Sequence, residues 1–156
     1  MPDSPESLAD RLRVEGSRVV EFFNRLSLDQ WGMLVYPRES DWSFHQLLAH
    51  FVSAEIGRKE LIVNICDGGK GAALDFEIDA FNHREVEKLS AQPSDYLLRR
   101  FAEERNSLIE FVSAISLQDL ERSGNDPYLG ETSLSEMIKL TYRHLQIHLR
   151  DVRERL

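Results

Sequence analysis

Apolar residues recur at three- and four-residue steps along most of this chain, which is the period of an amphipathic helix. The first such stretch runs from about Pro5 to Leu26, and the second from Phe44 to about Cys66. A third region covers roughly Phe76 to Leu89, and a longer one runs from Ser94 to about Ile115. The last stretch runs from Leu134 nearly to the C-terminus. The pattern predicts four long helices and one shorter helical region.

Several helix starts carry a local sequence signal. Ser27, Ser43 and Ser133 each stand three residues before a Gln or Glu, which is the spacing of a capping box. The box at Ser27 predicts a short helical turn after the first long helix. Ser94 follows Pro93 and is expected to cap the helix that begins there.

The regions between the helices are rich in Gly, Pro, Asn and Asp, which favour turns. Loops are predicted at 36–42, at 67–75, where Gly68, Gly69 and Gly71 indicate flexibility, and at 124–130. No stretch shows sustained two-residue alternation with β-branched residues, so no sheet is predicted. The whole pattern is typical of an all-α helical bundle.

Length and composition fit a single globular domain over residues 1–156. The chain has 156 residues, of which 42% are apolar and 29% charged, enough to bury a core without disulfides. The one cysteine, Cys66, excludes an intrachain disulfide and suits a reducing compartment. The N-terminus has no apolar signal-peptide core, and no stretch reaches the roughly 20 apolar residues that span a bilayer. We therefore expect a cytoplasmic protein.

The charge of the chain bears on its partners. Its formal net charge is −8, and the basic residues alternate with acidic ones, as in Arg99 and Arg100 followed by Glu103 and Glu104. Binding to nucleic acid normally needs a basic surface, and anionic membranes also repel an acidic protein. No nucleic acid or membrane partner is expected.

Two histidines stand four residues apart on the last predicted helix. His144 and His148 project from nearly the same side of that helix, because each residue advances about 100° around it. Both continue the apolar stripe that includes Thr141 and Leu145. Imidazoles turned inward are costly without partners, and a metal ion is one way to satisfy them.

His50 is likewise predicted to face inward, on the second long helix, where it lies between Leu47 and Phe51. If these two helices are neighbours, the imidazoles of His50, His144 and His148 converge. Three protein ligands with one open position are typical of a catalytic metal. Two alternatives stay open. The four-residue spacing is a weak motif by itself, and a lone core histidine is commonly hydrogen-bonded to a carbonyl or carboxylate.

The two remaining histidines are interpreted as surface residues. His45 is five residues from His50, so it points elsewhere and is expected in the first turn of its helix. His83 follows the predicted flexible loop and is expected to be exposed at a helix start. It approaches the mouth of the site if that loop folds over.

Three groups of residues resemble the DinB/YfiT-like superfamily of metalloenzymes, over essentially the whole chain. The first is Asp41-Trp42-Ser43 with Leu47-Leu48-Ala49-His50 and then Glu55; the second is the region of Asn82. The third is Arg143-His144-Leu145-Gln146-Ile147-His148. The resemblance implies an up-and-down four-helix bundle whose metal is bound by His50, His144 and His148. It also implies zinc, nickel or another divalent ion.

Relatives in this superfamily include thiol-dependent S-transferases and mycothiol-dependent maleylpyruvate isomerase. The resemblance thus implies a metal that activates a low-molecular-weight thiol cosubstrate, since coordination to a cation deprotonates a thiol. The segment Leu149-Arg150-Asp151-Val152 departs from the Arg-Gly-Gln sequence of some members. The subfamily and its substrate therefore stay open, as does the identity of any catalytic residue.

The leading hypothesis is a metal-dependent enzyme, similar to a thiol S-transferase or a hydrolase, that acts on a small molecule. Trp42, Phe51 and Tyr142 are candidate apolar walls of the substrate cavity, and each is otherwise ordinary packing. Asn82 is a candidate substrate-orienting residue or a helix cap. Glu55 is a candidate acceptor for an imidazole N–H or an exposed charge.

The alternative is a non-catalytic metal-binding or interaction bundle with a stress-related role. Homodimerisation is common in the superfamily and is compatible with either hypothesis. A DNA-binding stress protein is a third possibility, and the charge of −8 argues against it.

Overall fold

The structure is a computed structural model that describes residues 2–35 and 42–156. Most of the predicted loop at 36–42, including Asp41 of the quoted motif, lies outside the described residues. The elements in chain order are α1 (Pro5–Asn24), α2 (Leu28–Trp31), α3 (Phe44–Cys66), α4 (Ile78–Leu89), α5 (Ser94–Ala114), a short 3-10 helix (Gln118–Glu121), β1 (Ser123–Asp126), β2 (Gly130–Ser133) and α6 (Leu134–Arg153).

The four long helices α1, α3, α5 and α6 form a bundle, as predicted. α1 packs against α5 and α6, and α3 packs against the same two helices. α1 and α3 therefore lie on opposite corners of the bundle. The neighbouring positions of α3 and α6 are the arrangement that brings His50 towards His144 and His148.

Two clusters of buried apolar residues fill the two ends of the bundle. One contains Phe23 from the end of α1, Phe44 from the start of α3 and Leu97 from the start of α5. The other contains Leu8 from the start of α1 and Ile65 from the end of α3. α3 and α5 thus run in the same direction. This is possible because α4, between them in sequence, packs against α3 and carries the chain back.

The predicted helix starts are largely confirmed by capping hydrogen bonds. Ser27 and Ser43 form complete capping boxes with Gln30 and Gln46. Ser133 accepts a hydrogen bond from the Glu136 N–H at 3.2 Å. Each bond satisfies one of the backbone N–H groups that the first turn of a helix leaves without a partner.

The start of α5 differs from the prediction. Pro93 is the N-cap of α5 and Ser94 is the first helical residue. The Ser94 hydroxyl does not cap the helix; it lies 2.6 Å from Nδ1 of His45. His45 is accordingly half-buried rather than a surface residue, because its other ring nitrogen lies 3.0 Å from the Ser90 carbonyl oxygen. It joins the start of α3 to the turn between α4 and α5.

The prediction of no sheet is wrong in one small region. β1 and β2 form an antiparallel hairpin in which Asp126 pairs with Gly130 and Ser123 pairs with Ser133. Neither strand carries the β-branched alternation that marks a strand in sequence. Tertiary contacts stabilise the hairpin instead, since Asn125 of β1 hydrogen-bonds with the backbone of Lys70 and Ala72.

The same contacts anchor the loop at 67–75, which was predicted to be flexible. Gly71 has a φ of +89°, a left-handed conformation that glycine adopts without strain. Its N–H donates to Oδ1 of Asn64 at 2.9 Å. A Cβ at this position would lie 2.4 Å from the Asn125 carbonyl oxygen, so the close approach also requires glycine. Across the described residues, no helix is long and apolar enough to span a membrane.

Candidate metal centre and adjoining cavity

The structure brings together the three histidines that the sequence singled out. His50 lies on the face of α3 that contacts α6, and His144 and His148 lie on successive turns of α6 facing it. One ring nitrogen from each residue falls within 4.8 Å of the other two, and this is the cluster of three potential metal ligands in the described part of the chain. The helix period and the antiparallel packing of α3 and α6 together produce the convergence.

The distances within the cluster suit a single ion. The Nε2 atoms of His144 and His148 are 3.1 Å apart. Two nitrogens that bind one tetrahedral zinc ion at about 2.0–2.1 Å are separated by about 3.3 Å. The ring centroid of His50 lies 5.5 Å from that of His144 and 5.6 Å from that of His148. The side chains need little rearrangement to share an ion.

The environment keeps all three imidazoles neutral at ordinary pH. Burial, together with the nearby imidazoles of His144 and His148, lowers the pKa of His50 to about 3. Burial likewise lowers the pKa of His144 to about 4, with contributions from His148 and the Arg58 guanidinium. Burial also lowers the pKa of His148, against the opposing effect of Asp151. The neutral imidazole is the form that binds a metal ion.

The hydrogen bonding of His50 also suits a metal ligand. Nδ1 of His50 is buried and has no hydrogen-bond partner among the described residues. Buried polar atoms are nearly always paired, because an unpaired one costs about 1–3 kcal/mol. The alternative for His50 was a core histidine hydrogen-bonded to a carbonyl or carboxylate, and the structure shows no such bond to its Nδ1. The donor set and this unpaired nitrogen fit a divalent ion.

Aromatic side chains surround His50 on the side towards the start of α3. The Trp42 ring lies 5.1 Å from the His50 ring, and the Phe51 ring lies 5.8 Å from the His148 ring. His83 is exposed, as predicted, and its ring is 6.1 Å from that of Trp42. The Trp42 ring thus lies near the rings of both His50 and His83. Phe51 belongs to the buried core.

A cavity of about 290 Å³ extends from His144 between α3, α4 and the hairpin. Its apolar lining includes Leu61, Phe76, Ile78 and Phe81. Its polar lining includes Ser53, Arg58, Asn82 and Tyr128. This is the volume and chemical mixture of a small-molecule site. A larger groove of about 510 Å³, lined by Gly16 and Arg105, lies away from the triad between α1 and α5.

Arg58 and Asp126 join the wall of this cavity to the hairpin. Nη2 of Arg58 lies 2.6 Å from Oδ2 of Asp126 and donates to the Met137 carbonyl at 2.8 Å. Oδ1 of Asp126 accepts the N–H groups of Tyr128 and Leu129 at 2.8 and 3.2 Å. The ion pair is buried, and it fixes the turn that presents Tyr128 to the cavity.

Asn82 lies within α4 and lines the cavity, so it is not a helix cap. Its Nδ2 donates to the Tyr128 hydroxyl at 3.3 Å. This hydrogen bond connects α4 to the hairpin across the cavity. Asn82 therefore lines the cavity, and its role as a substrate-orienting residue stays a prediction.

Two other predicted residues lie elsewhere. Tyr142 does not line the cavity; it is buried in the second core cluster, with the Arg11 guanidinium 5.4 Å from its ring centroid. Tyr142 precedes His144 by two residues, which is about 200° around α6, so the two side chains point in nearly opposite directions. Its prediction as a cavity wall is corrected here.

Glu55 is neither an acceptor for an imidazole nor an exposed charge. It is 1% exposed and forms a two-point ion pair with Arg105, with N–O distances of 2.7 and 2.5 Å. Arg105 also donates to the Leu12 carbonyl at 2.9 Å. The pair ties α3 to α5 and α1 on the side of α3 away from the cavity.

Three further residues line the cavity that the sequence pattern did not single out, namely Ser53, Arg58 and Tyr128. Ser53 stands three residues after His50 and so shares its helix face, which is a signal that could have been used. Arg58 and Tyr128 carry no comparable signal. Their positions depend on the hairpin and on the loop docked against it.

Fold and site together define a four-helix-bundle protein with a three-histidine cluster beside a small cavity. A family model described as the DinB superfamily matches residues 11–152. The chain therefore belongs to the DinB superfamily.

Solved structures give the same fold. The chain is similar to a mycothiol-dependent maleylpyruvate isomerase at 16% identity and a TM-score of 0.80, covering 97% of this chain and 61% of the isomerase. It is also similar to YfiT from Bacillus subtilis, described as a probable metal-dependent hydrolase with an unusual four-helix bundle topology. There the identity is 12% and the TM-score 0.78, over 96% of this chain and 84% of YfiT.

An uncharacterised protein from Clostridium difficile 630 matches at 11% identity and a TM-score of 0.77, over 99% of this chain and 96% of that one. A comparison with curated proteins by sequence gave no match. At these identities the likeness shows the fold. The chain spans less than two thirds of the isomerase's length, so that protein's activity is not carried over.

Proposed function

We propose that this protein is a divalent-metal-dependent enzyme that acts on a small molecule in the cavity beside His144. The observation that carries the proposal is the convergence of three neutral imidazoles, whose nitrogens lie within 4.8 Å of one another and one of which, His144, lines that cavity. Three protein ligands leave a coordination position for a reacting molecule, as in catalytic rather than structural sites.

His50, His144 and His148 would hold the ion, and zinc or nickel suits an imidazole set. The ion would supply Lewis-acid chemistry, lowering the pKa of a thiol or a water molecule that binds to it. The reaction is accordingly similar to that of a thiol S-transferase, with a low-molecular-weight thiol as cosubstrate, or to that of a hydrolase.

The chain's own residues bind and orient the substrate. Phe76 and Phe81 provide apolar walls that exclude water from the inner cavity, and Trp42 covers His50. Asn82, held by the Tyr128 hydroxyl, presents its amide to a ligand. Trp42 and Asn82 are thus proposed substrate-contacting residues, whereas Tyr142 is not.

Elemental analysis of the purified, tag-free protein tests the metal site. We expect about one equivalent of metal in the wild type and almost none in the His144→Ala/His148→Ala variant. His83→Ala is the matched control, because His83 lies beside Trp42 but outside the triad; it should keep its metal. Circular dichroism checks that each variant is folded.

A wild type that takes up no zinc, nickel or manganese would overturn the enzyme proposal. The non-catalytic bundle would then be the better description. If metal is bound, transfer of a thiol to an electrophile and hydrolysis of small esters and amides are assayed separately. Each activity must disappear on chelation and return with metal.

Location and assembly are proposals that do not depend on the metal. A cytoplasmic location, a single domain over 1–156 and a homodimer stay predictions. Sedimentation at several protein concentrations tests the dimer. Binding to DNA that weakens with added salt would contradict the prediction that nucleic acid is not a partner.

A further inference from the structure

Ser53 carries a second buried polar atom without a partner near the triad. The residue is 3% exposed, and its hydroxyl hydrogen-bonds to no described residue. A serine inside a helix usually donates to the carbonyl four residues earlier, yet Ser53 does not. The hydroxyl is therefore held in a costly state that a ligand would relieve.

The position of Ser53 says where such a ligand lies. Ser53 follows His50 by three residues, so the two side chains are neighbours on one face of α3, with Cβ atoms about 5–6 Å apart. Ser53 also lines the cavity that reaches His144. A molecule in this cavity can therefore approach the His144 imidazole and the Ser53 hydroxyl at once.

Arg58 lines the same cavity. Its Nε and Nη2 atoms donate to Thr141 and Met137, and Nη2 also pairs with Asp126. These contacts hold the guanidinium in place in the cavity wall. The rim carries one acid, Glu60, which is exposed.

We propose that Ser53 is a substrate-positioning residue whose hydroxyl donates a hydrogen bond to an oxygen of a ligand in this cavity, beside His50, His144 and His148. The ligand class is a small molecule with an apolar body and an acceptor oxygen, such as a carbonyl or carboxylate. The apolar part packs against Phe76 and Phe81. This inference rests on the proposed function and specifies which substrates that site selects.

Binding of benzohydroxamate to the metal-loaded protein tests the proposal. This probe has metal-binding oxygens and a phenyl ring that fits an apolar wall. We expect Ser53→Ala to weaken its binding by about three- to tenfold, the effect of losing one hydrogen bond. Azide, which binds a metal ion without filling the cavity, should bind wild type and variant equally.

Thermal unfolding of the metal-free proteins distinguishes a positioning role from a structural one. A structural role for the Ser53 hydroxyl would make Ser53→Ala less stable than the wild type. A hydroxyl without a protein partner predicts that Ser53→Ala is at least as stable as the wild type. Ser113→Ala on α5 is the matched control, since its hydroxyl donates to the Ile109 carbonyl at 2.7 Å; it should be slightly less stable.

The outcomes separate the two proposals. A wild type without metal overturns the proposed function. The stability comparison then tests only whether the Ser53 hydroxyl has a hydrogen-bond partner. A metal-loaded Ser53→Ala protein that binds benzohydroxamate as tightly as the wild type overturns the positioning role. A Ser53→Ala variant less stable than the wild type also overturns it, because the hydroxyl then has a structural partner such as a bound water.

Discussion

Burial prepares the three histidines to bind a cation, because it keeps their imidazoles neutral. The pKa of His50 is lowered to about 3 and that of His144 to about 4, in each case chiefly by burial. Protons therefore compete weakly for these nitrogens near neutral pH. The same burial makes the imidazoles costly to the folded chain when it is metal-free and the medium is acidic.

The metal-free protein should lose stability as the pH falls below about 6.5. An imidazole in the unfolded chain titrates near 6.5, whereas His50 and His144 in the folded chain titrate near 3 and 4. Between these values the unfolded chain binds more protons, so the free energy of unfolding falls with falling pH. Urea titrations at pH 7 and pH 5 measure the loss.

The His144→Gln/His148→Gln variant provides the control for that pH dependence. Carboxylates titrate in the same range in both proteins, so their contribution cancels in the comparison. We expect a smaller loss between pH 7 and pH 5 in the variant. An equal loss would mean that these imidazoles are not buried in the neutral form.

Glu55 should matter for stability and not for metal binding. Glu55→Ala leaves the Arg105 guanidinium buried without its partner, which costs about 3–5 kcal/mol of folding free energy. Metal content measured on the folded variant should equal that of the wild type, since Glu55 faces Arg105 rather than the triad. Chemical denaturation and elemental analysis give the two values.

Glu21→Ala is the comparison for the buried pair. Glu21 pairs with Arg25 on the surface, with side chains 58% and 77% exposed, and such pairs contribute about 0–1 kcal/mol. If Glu55→Ala bound less metal than Glu21→Ala, Glu55 would have to act on the site after all.

At the scale of elements, the hairpin and the loop at 67–75 complete the cavity that the bundle leaves open. Neither folds on its own, since an isolated two-stranded hairpin is marginal in water. Asn125 bonds to the backbone of both Lys70 and Ala72, and Asp126 pairs with Arg58 of α3. The stability of this cavity wall therefore depends on the contacts made by Asn125 and Asp126.

Two glycine substitutions separate backbone strain from packing in this wall. Gly71 and Gly130 both have positive φ, +89° and +74°. At Gly130 a Cβ meets no atom within 4 Å, whereas at Gly71 it meets the Asn125 backbone. Gly130→Ala should cost about 1–2 kcal/mol from strain, and Gly71→Ala should cost more.

Gly71→Ala should also weaken the binding of benzohydroxamate, because the loop has to move away from β1. Unfolding and probe titration of both variants test this. Equal destabilisation by the two substitutions would show that the loop is not packed as closely as the structure describes.

At the scale of the whole molecule, an ion on the triad connects α3 to α6. Binding to the folded state alone raises the free energy of unfolding by RT ln(1 + [L]/Kd), about 2.7 kcal/mol at a hundredfold excess over Kd. Zinc or nickel should therefore raise the melting temperature of the wild type and of His83→Ala. It should leave that of the His144→Ala/His148→Ala variant unchanged, and a shift in that variant would place the ion elsewhere.

The local sequence determined the helices, most of their ends and the candidate metal ligands. Helix period and capping depend on residues three or four positions apart, so Ser27 and Ser43 could be assigned as caps and His144 and His148 to one face. Predictions from local sequence were wrong where a side chain could bond either within its own helix or to a distant residue. Ser94 bonds to His45 instead of its own helix, and Glu55 pairs with Arg105.

Tertiary structure alone decided the parallel course of α3 and α5, the hairpin and the cavity. Residues that meet there are far apart in sequence: Asn125 contacts Lys70, Asp126 contacts Arg58, and Asn82 contacts Tyr128. Such contacts form only after the helices have packed, and no local period records them. The sequence by itself thus determined which imidazoles share a face, whereas only the packed fold decided what else surrounds them, because long-range packing is what closes the cavity.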